Sequence, residues 1–340
     1  MGKLGVITNP RSQKNKRGID KLDAALAGLP GARHAVLETV ADIPEILADF
    51  ARREIDTVAV AGGDGTIQAV LTALFSERAY EQPPRLAVLP CGMTNMIAGD
   101  VGLRGSMGAG LAKLGGLLQS PDEEEIVRVT VRRQILRLEN ARGRPPQYGM
   151  FFGGAAIYRA IIACRAKVHP YKIKADTAAA VTLAGLLADW LLRGRGTAGG
   201  NAKAAAGLNG GGPERKVFSG DRIDVTFDNQ PTEHLTSLVI LATTLDRLIL
   251  GSRPFWNGGD GQLRFTSIAF PPERLLRYAG RVLYGGEDRK LPSTSYLSRR
   301  ANRVSLAMDC PFTLDGELFE PEPGRPVLLA ADQQIRFVRV

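Results

Sequence analysis

The run Val58-Ala59-Val60-Ala61-Gly62-Gly63-Asp64-Gly65-Thr66 constrains this chain more than any other stretch. A short apolar strand ends in a glycine-rich turn, and residues 67–75 read as a helix that the turn opens. Gly62, Gly63 and Gly65 carry no Cβ, so the backbone there can approach a phosphate closely, and the helix dipole adds to the attraction of an anion. Asp64 puts a carboxylate into the same cradle, where it can hold a metal ion or take a proton. The combination points to nucleotide-dependent phosphoryl transfer; the plainer reading is a strand–helix turn with a solvated aspartate. No Gly-Lys-Ser/Thr follows, so this is not a Walker A loop. It is not the G-x-G-x-x-G of dinucleotide-binding folds either.

Around this turn the first third of the sequence alternates strands and helices. Strand-like segments at 4–8, 35–39, 57–60 and 86–89 are separated by helical patterns at 19–29, 42–53 and 67–75, with further helix after Asn95 and over 107–118. Repeated β-α units predict an α/β domain with a parallel sheet, helices on both faces and a ligand at the carboxyl ends of the strands. Asn9, residues 62–66 and residues 90–95 each follow a strand directly, so all three turns are expected on one rim. Near Pro121 the character changes. Residues 126–139 alternate like a strand, with Val127, Val129 and Val131 on one face and Arg128, Thr130 and Arg132 on the other. Short strands recur around 148–152, 222–227, 236–242, 263–270, 303–307 and 311–314, which predicts a β-rich, mostly antiparallel C-terminal domain.

The expected division is a nucleotide-binding α/β domain over 1–122, a β-rich domain over 123–322 with a helical insertion near 160–213, and closing strands in 323–340 that can return to the first domain. Within the insertion, residues 175–192 are Ala/Leu-rich and apolar almost all round, which suits a buried or groove-lining helix better than a membrane span. Residues 194–212 are Gly/Ala-rich with little apolar bulk and are expected to form a mobile loop.

Composition narrows the partners. The 44 Lys and Arg residues against 35 Asp and Glu give a formal charge of +9. Aromatics are sparse at 6% and are not interleaved with the basic residues, which argues against nucleic acid. An anionic membrane surface suits such a charge better. Cys91, Cys164 and Cys310 lie far apart without metal-ligand spacing, as in a reducing compartment. The first residues enter a strand at once with no secretory apolar region, so a cytoplasmic protein, peripheral at the inner membrane surface, is expected. Composition does not set the oligomeric state, and a dimer is compatible with it.

Several further residues carry candidate chemistry. Ser12 can hydrogen-bond a phosphate, and Lys14, Lys16 and Arg17 can neutralise one; a solvated basic turn is the alternative. In Pro90-Cys91-Gly92-Met93-Thr94-Asn95, Thr94 and Asn95 can hold a nucleotide or order water, or simply cap a helix. In Asp315-Gly316-Glu317 one acid can accept a hydroxyl proton while the other orients the acceptor, although Asp-Gly is also an ordinary hairpin turn. Asp260-Gly261 has the same ambiguity. His34, His169 and His234 form no cluster and read as structural or surface residues.

Taken in order, Asn9-Pro10-x-Ser12, Gly62-Gly63-Asp64-Gly65-Thr66, Pro90-x-Gly92, Asp260-Gly261 and Asp315-Gly316-Glu317 resemble the diacylglycerol kinase catalytic-domain family, which includes bacterial lipid kinases and sphingosine kinases. The resemblance spans nearly the whole chain. It implies an N-terminal domain related to NAD kinase and phosphofructokinase, a β-rich lipid-substrate domain, an ATP·Mg²⁺ donor and a cleft between the two domains. It further implies that Gly62, Gly63, Gly65, Asp64 and Thr66 hold phosphates, and that Asn9, Ser12, Lys14, Gly92, Thr94 and Asn95 help to bind ATP. By the same resemblance Asp315 and Glu317 supply the base, with Asp64 and Asp260 as metal ligands. Met93 and Met96 stand where the family has Thr and Asp in its Pro-x-Gly-Thr-x-Asn-Asp turn, and Arg264 stands where it often has a second acid. The activity implied is transfer of the ATP γ-phosphate to a lipid hydroxyl, diacylglycerol-like or sphingoid. Two alternatives stand beside it: an NAD-kinase-like or other small-molecule kinase of the same superfold, and a non-catalytic lipid- or nucleotide-binding homologue.

Overall fold

The computed structural model describes residues 2–12, 15, 25–29, 31–76, 78–92, 94–103, 105, 107–120, 123–168 and 219–340. The helix expected over 175–192, the loop over 194–212, Lys14, Lys16, Arg17, Met93 and His169 lie outside these residues, as does most of the helix expected over 19–29.

The N-terminal part is an α/β unit. Strands β1 (Leu4–Thr8), β2 (Arg33–Val36), β3 (Thr57–Gly62) and β4 (Arg85–Pro90) run parallel in the order β2-β1-β3-β4. Helices α1 (Ile43–Arg52), α2 (Asp64–Ser76), α3 (Met96–Val101) and α4 (Met107–Gln119) cover the sheet on two sides. Alternation along each strand divides the side chains. Ile7, Val58, Val60, Leu86 and Val88 pack with α1, α2 and α3, whereas Val6, Ala59, Ala61, Ala87 and Leu89 pack with α4. Helix α1 buries Ile43, Leu47 and Phe50, one stripe at helical spacing. A capping box precedes it: Thr39 Oγ1 accepts from the Ala41 amide at 3.2 Å, and Asp42 accepts from the Thr39 amide at 2.8 Å. The chain leaves β1 toward β2 on one side and reaches β3 on the other. The switch point of the sheet therefore lies between the carboxyl ends of β1 and β3, where Asn9 and the glycine turn begin.

The rest of the chain is antiparallel and β-rich, in the order α5 (Glu123–Arg128), β5 (Thr130–Glu139), β6 (Gln147–Gly149), β7 (Phe151–Ala155), α6 (Ala156–Val168), β8 (Asp221–Phe227), β9 (Glu233–Thr243), β10 (Leu263–Ala269), α7 (Leu275–Tyr284), β11 (Tyr296–Ala301), β12 (Arg303–Ala307), β13 (Phe312–Leu314), β14 (Glu317–Phe319) and β15 (Val327–Val338). Its core includes Phe152, Phe265, Phe312, Leu306 and Leu329. Strand β15 lies antiparallel to β5 and β12 and meets β4 in parallel at Phe337 and Leu86, so the two parts share one hydrogen-bonded sheet.

Three local expectations change. Residues 123–128 form α5 and the strand starts only at Thr130; Glu124 and Arg128, one helical turn apart, pair at 2.9 Å, and the Thr130 hydroxyl donates to the Ile126 carbonyl at 2.6 Å. The strand expected over 148–152 is broken at Met150, whose amide leaves the ladder for the Asp315 carboxylate at 2.9 Å. The closing strands expected in 323–340 (over 326–329 and 334–340) are one, β15, with an irregular register between Ala330 and Gln333. Among the described residues no helix is long and apolar enough to cross a membrane.

Candidate active site

The turns after β1, β3 and β4 meet at the switch point. The Asn9 amide donates to the Ala61 carbonyl at 3.0 Å, and its side-chain Nδ2 donates to Thr66 Oγ1 at 2.8 Å. The first turn is thereby tied to both ends of the glycine turn. Asn15, which the sequence reading left without a role, is buried beneath them. Its Nδ2 donates to the carbonyls of Asn9 at 2.8 Å and Ala61 at 2.9 Å. Ser12 is half-buried on the same turn, with its amide donating to the Asn9 carbonyl at 3.1 Å.

Gly63 and Gly92 pack backbone to backbone. A methyl group on Gly92 would lie 2.5 Å from the Gly63 Cα, with no flexible side chain there to yield. Gly92→Ala is therefore expected to separate the two turns. It should weaken binding of an ATP analogue by about tenfold or more and cost roughly 1–3 kcal/mol of stability; calorimetric titration and chemical unfolding check the two parts. Asn95 takes the left-handed conformation (φ 47°). Its side chain accepts from the Gly92 amide at 2.7 Å and donates to the Gly92 carbonyl at 2.9 Å. Asn95 thus closes the turn in which it sits, with Thr94 half-buried beside it.

Asp64 is the first residue of α2, yet its carboxylate serves another helix. Oδ2 accepts from the Met96 amide at 3.1 Å and Oδ1 from the Ile97 amide at 3.0 Å. These amides open α3, so the Asp64 charge sits at the positive end of a helix.

The opposing wall comes from the β13–β14 hairpin. Asp315 (φ 49°) and Gly316 (φ 88°) form a two-residue turn with both residues in the left-handed region, the geometry that favours Asp-Gly. The Asp315 side chain turns inward and is 3% exposed. Its oxygens accept from the Met150 and Phe151 amides, each at 2.9 Å, and its own amide donates to the Phe151 carbonyl at 2.8 Å. Burial pushes the Asp315 carboxyl well above the ordinary aspartate value of 3.8, and the Asp64 charge pushes it the same way, while the two amides pull it back. The two aspartates are therefore within electrostatic reach of each other. Glu317 closes the gap from the same hairpin, since a methyl on Gly65 would lie 2.5 Å from Glu317 Oε1. Arg165 of α6 donates to the Gly316 carbonyl at 2.7 Å and fixes the turn from behind.

Asn9, Gly62, Gly63, Asp64, Gly65, Thr66, Gly92, Asn95, Asp315 and Glu317 are thus brought together around the glycine turn. Asp260 is exposed, on a turn whose Gly261 abuts Ala301 and whose Gln262 amide donates to Asn302 Oδ1 at 3.3 Å. Among the described residues no group of three His, Cys, Asp or Glu side chains could cage a metal. A magnesium ion carried in on nucleotide phosphates needs only one or two carboxylates, and the mutually repelling Asp64 and Asp315 suit such a cation. The glycine turn at the start of α2 suits the phosphates themselves.

A charged chain behind the site has no signature in the sequence. Arg264 Nη2 meets Asp246 Oδ1 at 2.7 Å, Arg133 Nη2 meets Asp246 Oδ2 at 2.7 Å, and Arg133 Nε meets Asp100 Oδ2 at 3.2 Å. Arg264 Nη1 also donates to the Leu245 carbonyl at 2.9 Å. The chain runs from β10 to α3, the helix that Asp64 caps, and joins positions far apart in sequence.

Residues 3–122 match the family model for the diacylglycerol kinase catalytic domain. No curated protein matches the chain. Among solved structures, "Crystal structure of a putative diacylglycerol kinase from Bacillus anthracis str. Sterne" superposes with a TM-score of 0.64 at 15% identity, covering 99% of this chain and 96% of that one. A second, "The crystal structure of a diacylglycerol kinases from Bacillus anthracis str. Sterne", gives a TM-score of 0.58 at 13% identity over 99% of this chain and 96% of that one. At such identities the likeness establishes the fold.

Proposed function

We propose that this chain, whose residues 3–122 match a diacylglycerol kinase catalytic domain, is an ATP-dependent kinase of a lipid hydroxyl, diacylglycerol-like or sphingoid. The observation that carries the reading is Asp315: a buried carboxyl with a raised proton affinity, oriented by two amides and facing the glycine cradle across a crevice. In this reading Asp315 takes the proton of the lipid hydroxyl as its oxygen bonds to the γ-phosphorus and the bridging bond to ADP breaks. Glu317 orients the acceptor at the crevice mouth. Gly62, Gly63, Gly65 and Thr66 hold the phosphates, with Asn9, Ser12, Gly92, Thr94 and Asn95 shaping the nucleotide side. Mg²⁺, which would neutralise charge on the transferring group, would meet the protein at Asp64, with Asp260 as the second candidate ligand. Because its acceptor resides in a bilayer, the protein is peripheral at a membrane surface.

The non-catalytic alternative draws on one observation, the engagement of both Asp64 oxygens by α3. Against it stands Asp315, since burying an acid with no ligand to act on would be a cost without return. Incubation with labelled ATP, Mg²⁺ and a total lipid extract, with the product identified by mass, tests the reading. A phosphorylated lipid that is absent with Asp315→Asn is expected. Nucleotide binding without transfer to any lipid would refute it, and phosphorylated NAD would favour the small-molecule alternative.

A further inference from the structure

The geometry points to helix α7 and the neighbouring loop at 249–253 as the face that docks on an anionic bilayer. The inference extends the lipid-kinase reading by naming its membrane contact, and its test does not use kinase activity. At about 100° per residue, α7 divides into three strips. Leu275, Tyr278 and Val282 face inward, packing with Trp256, Ile268 and Tyr296. Leu276 (54% exposed), Leu283 (40%) and Tyr284 (58%) form an outward apolar strip with Gly280 between them. Arg274, Arg277 and Arg281, all exposed, form a third strip beside it. Among the described residues none of these arginines pairs with a carboxylate, and Glu273, Glu287 and Asp288 lie beyond the ends of the helix. An apolar strip flanked by unpaired arginines is the pattern of a helix that lies in a membrane interface.

The loop adds to the same face. Ile249 is 37% and Leu250 67% exposed, with Leu250 held at φ 57° so that two apolar side chains stand at a tight turn. Arg247 and Arg253 flank them, both exposed. The Arg253 amide donates to the Leu283 carbonyl at 2.7 Å, which joins loop to helix. Arg289 locks the junction: it donates to the Arg281 carbonyl at 2.7 Å, the Arg253 carbonyl at 3.0 Å and the Phe255 carbonyl at 3.2 Å, and lies over the Trp256 ring at 5.4 Å. A rigid seam of this kind suits a surface that must present several side chains at once. The inward side of α7 leads toward α6: Leu275 packs on the cluster that contains Ala156 and Ala160 of α6, and Arg165 of the same helix holds the Asp315–Gly316 turn.

The occupant is an anionic lipid surface, because the charged residues within the helix itself, Arg277 and Arg281, are both positive and exposed, with Arg274 at its start. Co-sedimentation of the full chain, without nucleotide, on vesicles of phosphatidylcholine alone or mixed with phosphatidylglycerol tests it. Wild-type protein should bind the mixed vesicles at least about tenfold better. R277Q/R281Q should lose roughly twentyfold of that binding, at about fivefold per arginine. L276S/Y284S should lose binding at low salt as well. Equal binding to both vesicles, no binding, or wild-type-like binding by folded R277Q/R281Q and L276S/Y284S would overturn the assignment. So would a wild-type dimer in light scattering that these variants dissolve, because the face would then be covered by a second copy. The kinase reading is tested apart from docking by lipid phosphorylation in detergent micelles, which is absent in wild type if that reading fails while the vesicle binding stands.

Discussion

Asp315→Asn should lower lipid phosphorylation by about 10²–10⁴-fold, the range that general-base catalysis contributes, while leaving the protein within about 1 kcal/mol of wild-type stability near neutral pH. The first half follows from position, since Asp315 is the buried acid of the crevice and its amide partners at Met150 and Phe151 fix its direction. The second half follows from two opposed effects. Asparagine keeps one acceptor and turns an NH₂ toward the second amide, which loses a hydrogen bond. It also removes a charge that burial and Asp64 both disfavour. The pH dependence separates this account from a merely structural role. Folding raises the Asp315 carboxyl above its unfolded value, so the native state holds a proton that the unfolded chain has released. The resulting stabilisation is complete below the ordinary aspartate value of 3.8 and is lost as pH rises through the raised native value. Denaturant unfolding across that window should show a falling contribution in wild type that Asp315→Asn lacks. Turnover should rise through the same native value as the base becomes ionised. A variant that retains turnover, or a wild-type rate that is flat across the window, would remove Asp315 from the chemistry.

What the sequence could and could not disclose follows from how local each signal is. The glycine turn, the strand before it and the helix after it are adjacent in the chain, so spacing alone identified the cradle. The Asp-Gly turn was readable as a hairpin, and residue order resembling a family suggested that it faces the cradle. The inward turn of Asp315 was not readable, because it depends on Met150 giving up its place in a strand, 165 residues away. Valine alternation misled at 126–129, where residues 123–128 are helical and Glu124 and Arg128 meet one helical turn apart. The Asp100–Arg133–Asp246–Arg264 chain is invisible to any local pattern because each contact is tertiary. Arg264 illustrates the cost of that blindness. As a substitution for an acid it suggests only a lost ligand, whereas the fold gives it Asp246 and two backbone carbonyls and makes it part of the frame behind the site. Helix α7 was hidden differently. Its ten residues have strong helical periodicity but sit between strands, where a short amphipathic segment is easily passed over.

Asp64 has two tasks in this account, and two substitutions separate them. Asp64→Ala removes the acceptors of the Met96 and Ile97 amides and should cost about 1–2 kcal/mol as the start of α3 frays. Asp64→Asn keeps one acceptor and a good capping residue, so its stability should fall by only a few tenths of a kcal/mol. If the carboxylate charge acts on the phosphates or their metal, both variants should lose at least about 10²-fold in turnover despite their different stabilities. Asp64→Asn has a further consequence. The negative charge of Asp64 contributes to the raised proton affinity of Asp315, so neutralising it should lower the Asp315 value. The residual activity of Asp64→Asn should then rise with pH from a lower starting point than wild type. Near-normal turnover with an unshifted profile would reduce Asp64 to a helix cap and leave the two walls of the crevice uncoupled.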